Sequence, residues 1–275
     1  MSSTQNLYAQ QHPIIMGIVN ITPDSFFDGG QFTNSKHILS HIEKMISDGA
    51  GIIDVGAYSS RPGAAFVDET EEFNRLNSIV SLIKTSFPNI SLSIDSFRSS
   101  VIQKIHDTIG TFIVNDISGG NIDKEMMKTC GKLQLPYICM HMKGTPQTMQ
   151  QFTTYTNLIE EIKSYFSHKI EQADKYNIPE IIIDPGFGFS KTREQNYHLL
   201  AHLDEFQSLQ KPVLVGLSRK SMIYNTLHTT PQQALNGTSI LNTIAVEKHA
   251  SILRVHDVKE ARECIVLTQE LLKQK

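Results

Sequence analysis

Short apolar runs rich in β-branched residues alternate along the chain with longer segments of helical periodicity, and this alternation constrains the fold more than any other feature. Eight such runs occur, at 14–20, 51–56, 90–95, 112–116, 136–142, 180–184, 212–217 and 251–256. Between them lie helical segments such as 156–177, where apolar residues from Leu158 to Ile170 form one stripe. Strands that alternate with helices are typical of βα units around a parallel sheet.

Eight βα units in a chain of 275 residues predict an α/β fold of the (β/α)8 TIM-barrel type. An open, doubly wound sheet is the alternative. No linker or charge run interrupts residues 13–275, so we expect a single domain there. Residues 1–12 are expected to form a flexible N-terminal tail, because they lack the basic flank and apolar core of a signal peptide.

Charge and composition narrow the classes of partner. A formal net charge of -3 provides no basic field for a nucleic-acid backbone, so we expect no DNA or RNA partner. No apolar run approaches the roughly 20 residues of a membrane-spanning helix. The 3 cysteines show no paired spacing, which predicts free thiols in a reducing cytoplasm rather than disulfides or a thiolate zinc site.

Polar residues recur where the apolar runs end. They are Asn20, Asp54, Asp95, Asn115, Asp116, His141, Asp184, Ser218, His256 and Asp257. In a TIM barrel all these ends meet at one face, where active sites lie. A single Asp often only caps the following helix, as Asp95-Ser96 would for a helix starting at Phe97. Recurrence along the whole series instead predicts a shared site.

One part of this face is expected to bind an anion. Arg254 and His256 lie on the same side of the last strand, because strand side chains alternate. Arg61 lies on a Pro-Gly turn in "SSRPGA". Arginine beside histidine suits phosphate oxygens, and the alternative is an arginine that holds an internal carboxylate.

The segment "GLSRKSM" adds a helix start to this face. Lys220 and Ser221 are expected in the first turn, where free amides and the helix dipole favour an anion. An N-cap by Ser218 is compatible with that interpretation. The site would therefore receive a second negative group here.

The segment "IIIDPGFGFSK" matches neither the phosphate-binding nor the dinucleotide-binding glycine spacing. Asp184 beside Phe189, with Asn115 from a neighbouring strand, would instead suit a flat heterocycle with ring N–H donors. A carboxylate accepts two parallel hydrogen bonds and a phenyl face stacks on the ring. A base-like or pterin-like ligand is therefore predicted.

A series of motifs extends from about residue 14 to residue 257. In chain order they read IVNITPDSFFDGG, SSRPGA, SID, VNDISGG, MHMKGTPQTMQ, DPGFGFSK, VGLSRKSM and LRVHD. This series resembles that of the bacterial dihydropteroate synthases, a pterin-binding TIM-barrel family. The resemblance implies condensation of 6-hydroxymethyl-7,8-dihydropterin diphosphate with p-aminobenzoate, giving 7,8-dihydropteroate and diphosphate for folate synthesis. It also implies a cytoplasmic homodimer, a Mg2+ cofactor and inhibition by sulfonamides.

The resemblance further implies three sets of substrate contacts. The pterin contacts are Asp95, Asn115, Met140, Asp184, Phe189, Gly216 and Lys220. Mg2+ bridges Asn20 and the diphosphate, whose other contacts are Ser60, Arg61, Arg254 and His256. The p-aminobenzoate contacts are Phe26, Pro62, Phe189, Lys220 and Ser221. The implied catalytic residues are Asp95, Lys220, Arg254 and His256.

The implied mechanism needs no nucleophilic side chain. Diphosphate leaves first, carboxylates led by Asp95 stabilise the pterin-methyl cation, and the aniline nitrogen attacks. Three positions depart from the family pattern: Tyr58 replaces an acidic residue, Ser60 replaces a threonine and keeps its hydroxyl, and Phe27 replaces a serine. We expect Tyr58 to alter the second strand-end loop, and Phe27, within a predicted mobile lid at 22–30, to change sulfonamide affinity relative to substrate.

Two other functions stay open at this level. A pterin-binding methyltransferase would use a related barrel, although it has no need of a diphosphate pocket formed by Arg61, Arg254 and His256. A paralogue that binds pterin or a partner protein without turnover is the other alternative. The joint presence of the acidic and basic residues argues against such an inactive paralogue. These residues are Asp95, Asp184, Lys220, Arg254 and His256.

Overall fold

The computed structural model describes residues 13–21, 31–58 and 67–274, without the side chains of 31–34. The predicted contacts Phe26, Ser60, Arg61 and Pro62 lie outside the described residues, as do Phe27, the predicted lid and the predicted N-terminal tail. None of the helices in the described ranges is both long and apolar enough to cross a membrane.

Parallel strands form the centre of the fold. They are β1 (Ile14–Asn20), β2 (Ile52–Gly56), β3 (Ser91–Asp95), β4 (Ile113–Asp116), β5 (Tyr137–Met140), β6 (Ile181–Asp184), β7 (Leu214–Val215) and β8 (Ile252–Val255). Hydrogen-bonded neighbours follow the order β6-β5-β4-β3-β2-β1-β8-β7. A parallel bridge between Ile183 and Val213 joins the two outer strands. The predicted (β/α)8 barrel in a single domain is therefore confirmed, and the open sheet is wrong.

Helices follow the strands and surround them. They are α1 (Gln31–Asp48), α2 (Glu69–Ser86), α3 (Ser99–Ile109), α4 (Met126–Leu133), α5 (Leu158–Lys175), α6 (Arg193–Ala201), α7 (Ser221–Thr226), α8 (Leu235–Glu247) and α9 (Val258–Leu272). The local sequence explains where several of these helices begin. Asn157 caps α5 by accepting from the Glu160 amide, and Thr192 with Gln195 forms a capping box at α6.

Helix α3 begins at Ser99, later than the expected start at Phe97. The Ser99 amide donates to Asp123 Oδ2 at 2.7 Å, so the cap comes from the loop before α4. The predicted cap by Asp95-Ser96 is therefore wrong for Asp95, whereas Ser96 Oγ accepts from the Arg98 amide at 3.2 Å. Because the helix is capped from elsewhere, the Asp95 carboxylate is available for other contacts at the barrel mouth.

The barrel interior is filled by one apolar layer near the amino ends of the strands. Its members are Ile14, Met16, Ile52, Ile113, Ile138, Ile182, Leu214 and Ile252. Side chains alternate along a strand, so residues two further along each strand face the same interior. Those residues form the next layer, at the carboxyl end, and are Ile18, Asp54, Asn115, Met140, Asp184, Gly216 and Arg254, to which β3 adds Asp95 and β1 adds Asn20. The fold thus brings most of the described predicted contacts to one opening.

Candidate active site

Arg254 joins two carboxylates at this opening. Its Nε donates to Asp54 Oδ2 at 2.7 Å, and its Nη2 donates to Asp95 Oδ2 at 2.8 Å. The sequence allowed either a phosphate contact or an internal ion pair for Arg254, and the structure shows the ion pair. The Arg254 side chain remains 23% exposed, so it is still accessible to an anionic ligand.

Asp54 is the buried member of this group of charged side chains. Its side chain is fully buried, and Oδ2 also accepts from Asn115 Nδ2 at 3.1 Å. Among the described atoms, Asp54 Oδ1 finds no hydrogen-bond partner. Asp54 was predicted to lie near a strand end, but no contact with a ligand or another residue was predicted for it. The signal for that role was its interior-facing position on β2, because a buried carboxylate needs a paired cation such as Arg254.

Burial also acts on the second carboxylate of the pair. It raises the pKa of Asp95 to about 7, while the positive charge of Arg254 opposes the rise. A carboxyl group with such a pKa changes its charge near neutral pH. Asp95 can therefore present a negative charge to a ligand in a largely dehydrated place, where electrostatic interactions are strong.

Two further charged groups lie at the opening, Asp184 at the end of β6 and Lys220 just before α7. Asp184 Oδ1 accepts from the Gly186 amide at 2.8 Å, and Lys220 Nζ donates to the Phe187 carbonyl oxygen. The same Nζ lies 4.7 Å from the ring centroid of Phe189. Burial raises the pKa of Asp184 and lowers that of Lys220 to about 8, and each charge opposes the other group's shift.

An apolar patch lies beside Asp184 and Lys220. Its buried members are Ile117, Met140, Met142 and Met149, with Phe97 and Phe189 packed against them. Met140 is the register partner of Asp184, which sets the patch beside that carboxylate. Carboxylate and amide groups next to aromatic and thioether surfaces form a slot suited to a flat ring with N–H donors.

His256 follows β8 and is held by Ser218. The His256 amide donates to Ser218 Oγ at 3.2 Å, and His256 Nδ1 lies 3.0 Å from the same oxygen. Helix α7 begins at Ser221, which is exposed, and Lys220 is its N-cap residue. The predicted N-cap by Ser218 and the placement of Lys220 within the first turn are therefore wrong. Ser218 instead positions an imidazole at the site.

Asn20 ends β1 and is exposed. Within the described ranges, no cluster of three or more His, Cys, Asp or Glu side chains is arranged to hold a metal. An amide oxygen is a hard ligand, and Mg2+ usually keeps water and substrate phosphates in its coordination sphere. The donors therefore fit a Mg2+ ion that arrives with a phosphorylated substrate.

Three strand-end residues point away from the opening. Asp116 accepts from the Ser118 amide at 2.7 Å, the Gly120 amide at 2.8 Å and the Tyr137 hydroxyl at 2.7 Å, so it shapes the loop after β4. Asp257 pairs with Arg219, and His141 contacts Lys191. The prediction of one shared site is wrong for Asp116, His141 and Asp257, since each lies one residue from an interior-facing position.

Tyr58, the departure from the family pattern, connects three strand-end loops. Its hydroxyl accepts from Gln147 Nε2 at 3.1 Å. Its ring packs edge-on against Phe97, with 5.1 Å between centroids, and the Arg98 guanidinium carbon lies 5.7 Å from the ring centroid. An acidic residue at this position would lack the aromatic contacts.

Comparison with known proteins supports the interpretation of this opening. Residues 16–256 match the family model described as pterin binding enzyme. The chain is 40% identical to the dihydropteroate synthase of Escherichia coli (strain K12) over an alignment of 266 residues. This alignment covers 96% of this chain and 93% of that protein.

The solved structures that resemble this fold include members of the same family. The fold is similar to the crystal structure of Yersinia pestis dihydropteroate synthase with a sulfonamide drug complex, with a TM-score of 0.88, 39% identity and 95% of each chain covered. It is also similar to the Xanthomonas albilineans dihydropteroate synthase with 4-aminobenzoic acid, with a TM-score of 0.85, 32% identity, and 95% and 94% of the two chains covered. The chain therefore belongs to the dihydropteroate synthases, a family of transferases in folate synthesis.

Proposed function

We propose that the protein condenses 6-hydroxymethyl-7,8-dihydropterin diphosphate with p-aminobenzoate, forming 7,8-dihydropteroate and diphosphate. The observation that carries this proposal is that one barrel opening holds the ion pair of Arg254 with Asp95 together with two further charged groups, Asp184 and Lys220, each of which shifts the pKa of the other. A ring rich in N–H donors that bears a diphosphate needs both kinds of charge side by side. The Xanthomonas relative, solved with 4-aminobenzoic acid, supports the choice of the second substrate.

The pterin ring would lie between Met140 and Phe189. Asp184 accepts hydrogen bonds from its ring and amino N–H groups. Asn115 donates through Nδ2 to Asp54, which leaves its amide oxygen to accept from the ligand. A methyltransferase would also use these ring contacts, so the anion contacts must distinguish the two functions.

The diphosphate would be bound by Arg254 and His256, together with the predicted contacts Ser60 and Arg61. Ser218 supports this by fixing the His256 ring through Nδ1. Asn20 would hold Mg2+, which supplies positive charge to the leaving diphosphate when bound. The p-aminobenzoate carboxylate would be received by Lys220 and Ser221, with Phe26, Pro62 and Phe189 as further predicted contacts.

The proposed reaction is SN1-like. The bond between the pterin methylene carbon and the diphosphate oxygen breaks first, and both bonding electrons leave with diphosphate. Asp95 stabilises the positive charge that develops on the pterin methylene. The aniline nitrogen then forms the new C–N bond and loses one proton, which completes dihydropteroate.

An assay of diphosphate release tests this function. Release is expected only when dihydropterin diphosphate and p-aminobenzoate are both present, with dihydropteroate formed in equal amount. Folded protein that binds the pterin substrate without releasing diphosphate would contradict the proposal and favour the silent paralogue. Failure of diphosphate alone to compete with the pterin substrate would favour the methyltransferase.

The pH dependence of kcat/KM is expected to show two limbs. Burial raises the pKa of Asp95 to about 7 and lowers that of Lys220 to about 8. Activity requires ionised Asp95 and protonated Lys220, so kcat/KM should fall about tenfold per pH unit below the first value and above the second. A Lys220→Arg variant keeps its charge and should lose the fall near pH 8 that Lys220 causes, while the acidic limb stays. A profile without an acidic limb contradicts the role of Asp95.

We also propose a homodimer formed through α8 and α9. Ile240 on α8 is 53% exposed, and Leu267 and Leu271 on α9 are 71% and 59% exposed. Exposed apolar patches of this kind mark interfaces. We expect Leu267→Glu to weaken dimerisation by about tenfold or more in light scattering. Ile122→Glu, at an exposed apolar position elsewhere, is the control, and a wild-type monomer would contradict the proposal.

A further inference from the structure

Lys191 is a buried cation that the functions above do not use. It lies in the segment after β6 and is 4% exposed. Its Nζ donates to the carbonyl oxygens of Gly186 at 3.0 Å and Phe189 at 3.1 Å, and lies 3.2 Å from His141 Nδ1. An ammonium group has three N–H donors, and these acceptors match them in number.

His141 is suited to be the third acceptor. Burial and the nearby charges of Lys191 and Lys143 lower the pKa of His141 well below its usual value, so its ring is neutral. Burial also lowers the pKa of Lys191 to about 7, an effect that Asp184 opposes and that Lys220 and Lys143 reinforce. When it is protonated, the ammonium is held by the two backbone carbonyl oxygens and the neutral His141 ring.

The backbone around Lys191 has an unusual course. Gly186, Gly188 and Ser190 have φ angles of 74°, 81° and 47°. A Cβ atom on Gly186 would collide with the His141 carbonyl oxygen, so only glycine fits there. This course brings two carbonyl groups of one short segment to a single Nζ atom, which compensates their partial negative charges.

The same segment presents the groups that the pterin would contact. Gly186 is held on both sides, because its amide donates to Asp184 Oδ1 at 2.8 Å and its carbonyl accepts from Lys191. Phe189, the second residue held by Lys191, carries the ring beside Lys220. A shift at either carbonyl would therefore move the Asp184 carboxylate or the Phe189 ring.

We propose that Lys191 is a positioning residue for pterin binding, whose ammonium holds the 184–191 segment in the shape that orients Asp184 and Phe189. This inference rests on the proposed function. Asn196 on α6 also holds the segment, since its Oδ1 accepts from the Gly188 amide at 2.7 Å. Lys191 holds the same segment at Gly186 and Phe189.

The test is the Lys191→Met variant, which keeps the length of the side chain and removes its charge and donors. We expect the Kd for dihydropterin diphosphate, measured calorimetrically without p-aminobenzoate, and the KM for this substrate to rise about tenfold or more. The KM for p-aminobenzoate at saturating pterin should rise clearly less, because Phe189 contacts both substrates in the proposed function whereas Asp184 contacts the pterin alone. A purely structural residue would not produce this separation of the two KM values.

Lys143→Met is the matched control. It removes a neighbouring ammonium that pairs with Glu161 and the Thr154 carbonyl, and the segment keeps its support because the Lys143 contact to Ser190 uses the backbone amide. We expect its pterin Kd to stay within about twofold of wild type. An equal loss of pterin affinity in both variants would overturn the proposal.

Two further results would also overturn it. One is a folded Lys191→Met protein with unchanged pterin Kd, and the other is an equal rise in both KM values. If Lys191→Met does not fold, Asn196→Ala, which removes the acceptor of the Gly188 amide, must give the same pterin-selective loss. Absence of wild-type turnover would contradict the proposed function, whereas the calorimetric comparison of wild type and variant would still test Lys191.

Discussion

Replacing Asp95 by asparagine is expected to lower kcat by about a thousandfold. Asparagine has nearly the same shape and can still accept a hydrogen bond from Arg254 Nη2, so the barrel opening should keep its geometry. The variant loses the negative charge that would stabilise the pterin-methyl cation. Because that charge is needed mainly in the transition state, the pterin KM should change much less than kcat.

Steady-state kinetics and circular dichroism measure this effect. Asp68→Asn is the control, because Asp68 accepts from the Glu71 amide at the start of α2 and asparagine caps helices equally well. The acidic limb of the pH profile should also disappear in Asp95→Asn. A kcat within about tenfold of wild type would show that Asp95 does not stabilise the cation.

Arg254→Met is expected to reduce both activity and stability. The diphosphate would lose a bidentate cation, which should lower kcat/KM by about a thousandfold. Asp54 and Asp95 would lose their shared cation, and an unpaired buried carboxylate should lower the free energy of unfolding by about 3 kcal/mol. Urea unfolding at neutral pH measures the second effect.

A double variant separates the two roles of Arg254. Asp54→Asn combined with Arg254→Met removes the buried negative charge together with its partner, so much of the lost stability should return. The activity should stay low, because the diphosphate contact is still missing. Recovery of activity in the double variant would mean that Arg254 serves only the ion pair.

The sequence was sufficient to predict the barrel because eight apolar runs alternate with helical segments and each βα unit is local. It also predicted which residues meet at the opening wherever an interior-facing position coincides with a strand end, as for Asp95, Asn115 and Asp184. Asp116 and His141 were placed wrongly, because a shift of one residue moves a strand side chain to the opposite face.

Contacts between segments that are far apart in the sequence could not be predicted from strand-end positions. Asp54 lies within β2, and its pairing with Arg254 depends on the order of strands around the barrel. Nothing in the sequence marks Lys191, because its acceptors include His141 on another strand-end loop. The role of Ser218 similarly depends on β8 lying beside β7, which brings His256 within reach.

The seam between β6 and β7 has an energetic consequence. The described residues form one bridge there, Ile183 with Val213, and β7 is only 2 residues long. Local opening of a fold starts where such backbone pairing is sparse. Asp184 lies on one edge of this seam and Lys220 on the other, so a ligand that contacts both would link the two edges. Part of the binding free energy would then oppose the opening of the barrel itself.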